Sequence, residues 1–445
     1  MPFSAFFDGP NHYPAKMKFY DQGGSPKLLD HLIEVIEAQK NEIVEINIAW
    51  YLYNNQYLHR YLKSLSIEGI TINVITIPLE GYDHSKPKKL TDLSTGQKKE
   101  HSVTKYELAK EIFGEMYRTE AYPNFNLYFF SHLFVRSPLV KKFSRGSFPY
   151  SLHLKSAYIK KKKGCCIILS SSNLAVRDIV KHESLVCIQD EEQYEESFKN
   201  FYSDLISNSI HVKNYKREDN TTCNTFNFIA SKDTLPHSFI TAPFYFDSSN
   251  RLEEVIIHQV SIAKERVIIC AQHLAAFNYW FNARYHSVIK ESKIRGGVIG
   301  KLVKKAKEGV NITCLSQTFA PPAGREAAFE GISFRQPVNK RNFQEAYEAL
   351  THTENATYYV NQDLHSKYII IDNKLIYCTY NFTPTQFTYL DRVNISKFKE
   401  MPDTGYQGTH CEVAAHVVIE EKTIVDLFVK NIEMVKALEN TIRVL

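Results

Sequence analysis

The chain has 445 residues, 44% of them hydrophobic, enough to bury a substantial core and to make two domains of ordinary size. Its net charge of +5 is too small to argue from, so the placement of the lysines carries more than their total. Eight scattered cysteines with no C-x-x-C pair, several inside apolar runs such as CCIIL and VIICA, exclude a disulfide framework and read as buried free thiols in a reducing cytoplasm. Neither Cys165–Cys166, whose side chains would point to opposite faces of a strand, nor His410–Cys411 makes a zinc site. No run approaches the ~20 apolar residues that span a bilayer. The N-terminus lacks a basic stretch followed by an apolar one, so the expectation is a soluble cytoplasmic protein without a signal peptide.

In chain order, KLLDHLIEVIEAQ (27–39) has helical spacing and EIVEINIAWYL (42–52) reads as a buried strand. NQYLHRYLKSL (55–65) is a second helix and ITINVITIPL (70–79) a second strand. The later half repeats this order. LEEVIIHQVSIAKE (252–265) is a helix and RVIICAQHL (266–274) a strand; GKLVKKAKEG (300–309) is a helix and VNITCLSQTF (310–319) a strand. Each half then has a helix rich in Tyr and Glu, a strand, and a hairpin. Each closes on a long amphipathic helix, EEQYEESFKNFYSDLI (191–206) and EEKTIVDLFVKNIEMVKAL (420–438). Strand–helix alternation of this kind implies α/β domains, mixed sheets with helices on their faces, arranged as an internal duplication. The predicted boundaries are an N-terminal domain over 1–215, a polar linker over 216–236 and a C-terminal domain over 237–445.

The hairpins carry the chemistry. His153 and Lys155 in SLHLKSAYI are matched by His365 and Lys367 in DLHSKYIII. Alternation along a strand turns residues i and i+2 to one face, so each His and its Lys point the same way. In the first hairpin KKKKG supplies the turn at Gly164, and CCIIL returns to Ser170–Ser172 and Asn173. In the second, Asp372–Asn373–Lys374 turns the chain, and LIYC returns to Thr379 and Asn381. Two imidazoles, two ammonium groups and two carboxamides together would suit cleavage of a phosphodiester.

This pattern resembles the phospholipase D superfamily, whose signature is H-x-K-x4-D followed by a G-S-x-N turn. The second motif follows it with His365, Lys367 and Asp372, then Thr379-x-Asn381, with Cys378 where Gly is usual and a loop one residue short. The first departs, with Lys160 at the Asp position and Ser170 at the Gly position. Its spacing, H-x-K-x8-G and then Asn nine residues later, is similar to the tyrosyl-DNA phosphodiesterase branch, while the second motif is similar to the nuclease type. The resemblance implies two pseudo-symmetric phospholipase D-like α-β-α sandwich domains with the active site at their interface. It implies catalytic roles for His153, His365, Lys155, Lys367, Asn173 and Asn381. Glu183 and Glu412 would each orient a histidine, and Ser171 and Thr379 would bind substrate. One imidazole would attack phosphorus and the other protonate the leaving oxygen; the resemblance puts His153 in the first role, and the residues alone fit the reverse equally. No metal or other cofactor is expected, and two motifs in one chain allow a complete site in a monomer.

Three lysine-rich stretches, 84–105, 140–155 with KKKKG, and 286–309, favour a nucleic-acid partner, DNA ahead of RNA, because cations interleaved with Phe and Tyr suit phosphate contacts and base stacking. The expected function is a nuclease or DNA-end-processing phosphodiesterase, with room for a protein partner in a defence or repair system. The competing class is a phospholipase D or phosphatidyltransferase acting on lipid, since basic surfaces also bind anionic membranes. A third is a non-catalytic nucleic-acid or lipid-binding module.

Overall fold

The computed structural model describes residues 2–10, 27–78, 105–118, 120, 122–132, 152–175, 181–216, 229–230, 237–246, 248–274, 297–317, 349–350, 353–382 and 412–445. The first half comprises β1 (Phe3–Asp8), α1 (Lys27–Glu37), β2 (Ile43–Trp50), α2 (Gln56–Ile67), β3 (Thr71–Thr76), α3 (Lys105–Arg118) and β4 (Phe125–Phe129). It continues with the hairpin β5 (Lys155–Lys161) and β6 (Cys165–Ser170), then β7 (Glu183–Gln189), α4 (Glu192–Ser207) and β8 (Ile210–His211). The second half has β9 (Ile229–Ala230), β10 (Ser238–Thr241), β11 (Tyr245–Phe246), α5 (Ser248–Ser261), β12 (Arg266–Ala271), α6 (Gly297–Lys307), β13 (Asn311–Gln317) and β14 (Ala356–Asn361). Its hairpin is β15 (Tyr368–Ile371) and β16 (Lys374–Cys378), followed by β17 (Ala414–Ile419), α7 (Lys422–Lys436) and β18 (Thr441–Arg443).

Two eight-stranded sheets result, and their orders match strand for strand: β1-β7-β6-β5-β2-β3-β4-β8 and β10-β17-β16-β15-β12-β13-β14-β18. In each, three strands run parallel (β2–β4; β12–β14) and the hairpin joins the first of them antiparallel. The internal duplication is therefore a property of the topology as well as of the motifs. The small pair β9 and β11 stands apart.

The sequences of the central strands explain their burial. In β12, Val267, Ile269 and Ala271 face one core while Ile268 and Cys270 face another, so both sides of the strand are dry. The core that takes Ile268 and Cys270 also contains Ile46, Ile48, Leu185 and Phe198, so it runs unbroken from one half into the other. Helices α4 and α7 fill the layer between the sheets. Tyr194 on α4 donates to the carbonyl of Val418 on β17 at 2.7 Å. Phe428 on α7 meets Phe7 of β1 and Tyr368 of β15 edge-on, at 4.8 and 4.7 Å between ring centres. Each closing helix thus covers both sheets, which is why their apolar faces are wide.

The helices and strands listed from the sequence fall within a few residues of those observed. The sequence pattern does not mark the edge strands β1 and β10, each of which lies at the end of a sheet; β10 has only four residues, and β1 is only partly buried over most of its length. The linker expected over 216–236 and the second Tyr- and Glu-rich helix fall almost wholly outside the described residues. Among the described residues, no helix is long and apolar enough to cross a membrane.

Asp372 has a structural place. It sits in the β15–β16 turn at φ +51°, and its carboxylate accepts the backbone N–H groups of Lys264, Glu265 and Arg266 at 3.0, 2.8 and 3.0 Å. It clamps this turn to the start of β12. These bonds, with the Arg266 guanidinium, outweigh burial and hold its carboxyl below the usual range. In the first half, the N–H of Lys162 donates to the carbonyl of Glu42 at 2.8 Å, and the Lys161 ammonium lies 2.6 Å from the Asp190 carboxylate. Lys160 itself is exposed. The first hairpin is therefore tied down by other groups. Asp372→Ala is expected to lower the unfolding free energy by about 1–3 kcal/mol, and Lys160→Ala by less than about 0.5 kcal/mol, in denaturant titrations; equal effects would refute the clamp.

Candidate active site

Two backbone bridges cross between the halves. Leu152, just before His153, pairs with Val413, and His182, just before Glu183, pairs with Leu364. The N–H of His153 donates to the Val413 carbonyl at 3.1 Å, and that of His365 to the His182 carbonyl at 3.0 Å. Each histidine of one half is thereby laid beside a carboxylate of the other. Nδ1 of His365 lies 2.6 Å from Glu183 Oε1, and Nδ1 of His153 lies 3.5 Å from Glu412 Oε2. The first pair is closed, with side chains 7% and 1% exposed; the second is more open, at 22% and 11%.

Both motif lysines are fully buried. Lys155 Nζ donates to the carbonyl of His153 at 3.1 Å, and Lys367 Nζ to that of His365 at 2.6 Å, as the i, i+2 relation requires. The ring of Tyr51 lies 5.6 Å from that of His153, edge-on, and 5.8 Å from Lys155 Nζ. Asn381 Oδ1 accepts the backbone N–H of His273 at 3.3 Å. Asn173 Oδ1 is buried with no hydrogen-bond partner among the described residues. The Asn173 turn ends on Leu174 at φ +55°, a left-handed conformation that an apolar side chain adopts at a cost. It is held by Ser172 Oγ, which accepts the Leu174 N–H at 2.8 Å, and by Asn55 Nδ2, which donates to the Leu174 carbonyl at 2.7 Å.

Ser171 and Thr379, expected as substrate contacts, are fully buried and bonded to protein. Ser171 Oγ donates to Glu183 Oε2 at 2.5 Å and accepts the Ser184 N–H at 2.9 Å. Thr379 Oγ1 accepts the Ala415 N–H at 3.0 Å. These two bonds are equivalent in the two sheets, each tying the Asn turn to the neighbouring strand.

Strand register separates the two glutamates. Ser170 pairs with Leu185 and Cys378 with His416, so Glu183 corresponds to Ala414, and Glu412 corresponds to Lys181. Glu412 therefore approaches its histidine from a position two residues earlier than Glu183 does, ahead of β17, and its contact is the longer and more open one. The same comparison brings out residues the sequence reading passed over. His273, two beyond the end of β12, corresponds to Leu52, and Lys181 stands two residues before Glu183. Nothing local in AQHL or VKHES marks either.

Burial is the main influence on the imidazoles and holds both well below their ordinary value. Lys155, Lys367 and His273 add to it at His153. At His365 the additions come from Lys181, Lys367, Lys155 and His153. His273 is pushed down to about 3 by burial, Lys367 and Lys181. The groups of both halves thus act on one another across one site, and burial with the neighbouring cations favours the neutral form of both histidines. Among the described residues no cluster of His, Cys, Asp or Glu has the arrangement to hold a metal. Most of the lysine-rich stretches, 84–104, 140–151 and 286–296, and the pair His410–Cys411, lie outside the described residues.

No protein-family model matches the sequence, and no curated protein matches it. Solved structures do match by fold. Phosphatidylserine synthase of Haemophilus influenzae Rd KW20 superposes with a TM-score of 0.53 over 93% of this chain and 85% of that one, at 12% identity. Polyphosphate kinase of Porphyromonas gingivalis aligns over 97% of this chain at 8% identity and a TM-score of 0.48; the chain spans 50% of that protein's length. Nuc of Salmonella typhimurium, a phospholipase D family member, covers 43% of this chain with 88% of its own, at 13% identity and a TM-score of 0.25.

A carboxylate at Nδ1 selects the tautomer that leaves Nε2 free. In imidazole ¹⁵N spectra, Glu183→Gln is expected to disturb the tautomer of His365 more than Glu412→Gln disturbs that of His153, because the first contact is 0.9 Å shorter (3.5 − 2.6 Å). Equal responses would refute the asymmetry.

Proposed function

Given a phospholipase D fold duplicated within one polypeptide, we propose that this chain is a phosphodiesterase that works without a metal, cleaving nucleic acid through a phosphohistidine intermediate. The observation that carries the reading is the crossed arrangement: two histidines, each backed by a carboxylate from the opposite half, beside two buried lysine ammonium groups. A phosphodiester presents anionic oxygens that repel a nucleophile. Lys155 and Lys367, with the amides of Asn173 and Asn381, neutralise those oxygens and the further charge of the pentacoordinate transition state. Ser171 and Thr379 are read as supports of the Asn turns rather than as substrate contacts.

His153 is the nucleophile in this scheme. It is the more accessible of the two, and a neutral imidazole has the free lone pair that must reach phosphorus. His365, held by Glu183, is the acid that protonates the leaving oxygen. It then takes a proton from the water that opens the phosphohistidine. The incoming phosphate is itself anionic, so it offsets the field of the lysines and favours the proton that His365 must carry. Likeness of fold to phosphatidylserine synthase favours, as a second reading, transfer of a phosphatidyl group through the same residues.

Turnover of single- and double-stranded DNA, RNA and phospholipid vesicles in excess EDTA tests both readings. Cleavage of nucleic acid that survives EDTA and falls about 10³-fold or more in His153→Ala and in His365→Ala is expected. Loss of activity on chelation, or full activity in His153→Ala, would refute the mechanism; turnover confined to lipid would refute the substrate. The pH profile is a separate check. Catalysis needs one neutral and one protonated imidazole, and both are held below their ordinary value of 6.5. The protonated acid is therefore already scarce by pH 6.5, and kcat/KM on a nucleic-acid diester should peak below that pH. An optimum above pH 7.5 would contradict this assignment.

A further inference from the structure

The two flanks of the site share a backbone but differ in charge. Lys181 and Glu412 occupy the same register position, one residue before the bridges at His182 and Val413. Lys181 lies two residues before Glu183, so strand alternation turns it to the face from which Glu183 meets His365. The separation along the strand is roughly 6.6 Å, on the scale of one step of an extended nucleotide chain. Unlike Lys155 and Lys367, Lys181 is only partly buried, and its charge acts on both His365 and His273. On the opposite flank the same position carries the Glu412 carboxylate, 3.5 Å from His153, and the Tyr51 ring lies edge-on to the His153 ring at 5.6 Å. On the His365 side the Lys181 cation offsets the Glu183 carboxylate, whereas on the His153 side the Glu412 carboxylate has no cation at the matching position, so a second phosphate is favoured on the His365 side.

We propose that Lys181 binds the phosphate next to the scissile one, on the His365 flank, and so selects a strand of successive phosphodiesters lying across the site in one direction. The flank at Glu412 and Tyr51 takes an uncharged or aromatic part of the substrate. This rests on the reading of the site as a phosphodiesterase. Under it, Lys155 and Lys367 serve any diester, while Lys181 adds affinity only where a neighbouring phosphate exists. Lys181 also acts on His365 directly, so its removal changes the rate on every diester; the specificity lies in the difference between substrates.

The test compares kcat/KM on a single-stranded oligonucleotide with kcat/KM on bis(p-nitrophenyl) phosphate, in EDTA, for the full chain and for Lys181→Met and Lys181→Arg. Lys181→Met is expected to lower the ratio of oligonucleotide to small diester about tenfold. It should also reduce the steepness of log kcat/KM against log salt on the oligonucleotide by about 0.7, the loss of one single-strand phosphate contact. Lys181→Arg, which keeps the charge, should retain both. A parallel change on the two substrates with the salt slope intact would overturn the proposal and leave Lys181 acting on His365 alone; no change on either would overturn it as well. Wild-type protein that turns over neither diester would overturn the reading of the site itself.

Discussion

Each histidine of the candidate site meets its carboxylate only because the chain crosses from one half to the other. The two bridges, Leu152 to Val413 and His182 to Leu364, are single pairings rather than extended sheets. They are held by the wide apolar layer beneath them, where α4 and α7 each touch both sheets. A small relative rotation of the halves would break both bridges and separate His365 from Glu183. The continuous core is thus the condition for the paired His–Glu geometry, since it fixes one sheet against the other.

The polar groups placed on this frame are expensive to keep there. Two buried ammonium groups and a buried carboxylate disfavour the folded state by several kcal/mol each unless compensated. Compensation is partly local: the lysines donate to the histidine carbonyls, and Ser171 donates to Glu183. The left-handed Leu174 adds local strain at the Asn173 turn. Polar burial and strain concentrated at one place are features a preorganised anion site would have.

The duplication gives two copies of each part, and sequence drift has made them unequal. The β15–β16 turn is clamped by Asp372, whereas the first hairpin is longer and is tied through Lys161 and Lys162. The residue at the position of Asp372 in the first motif, Lys160, is exposed, so that departure lies away from the buried Lys155. At the candidate site, Glu183 lies 2.6 Å from His365 while Glu412 lies 3.5 Å from His153. Two imidazoles in different surroundings can take opposite protonation roles at one pH, which two identical ones cannot do as readily.

Much of this could be read along the chain. Hydrophobic periodicity and β-branched runs are local signals, so the paired helices, the paired strands and the repeated His-x-Lys hairpins were legible, with Asn173, Asn381, Glu183 and Glu412 as companions. Pairings between residues about two hundred positions apart were not, because nothing in either segment encodes its distance from the other. That Glu183 serves the histidine of the opposite half, that Ser171 and Thr379 bond inward, and that Lys181 takes the place corresponding to Glu412 all follow from strand register and from the packing of one sheet against the other. His273 likewise acquires its position only when β12 lies beside the Asn381 turn. Composition and spacing select the side chains; the contact between the two sheets selects their partners.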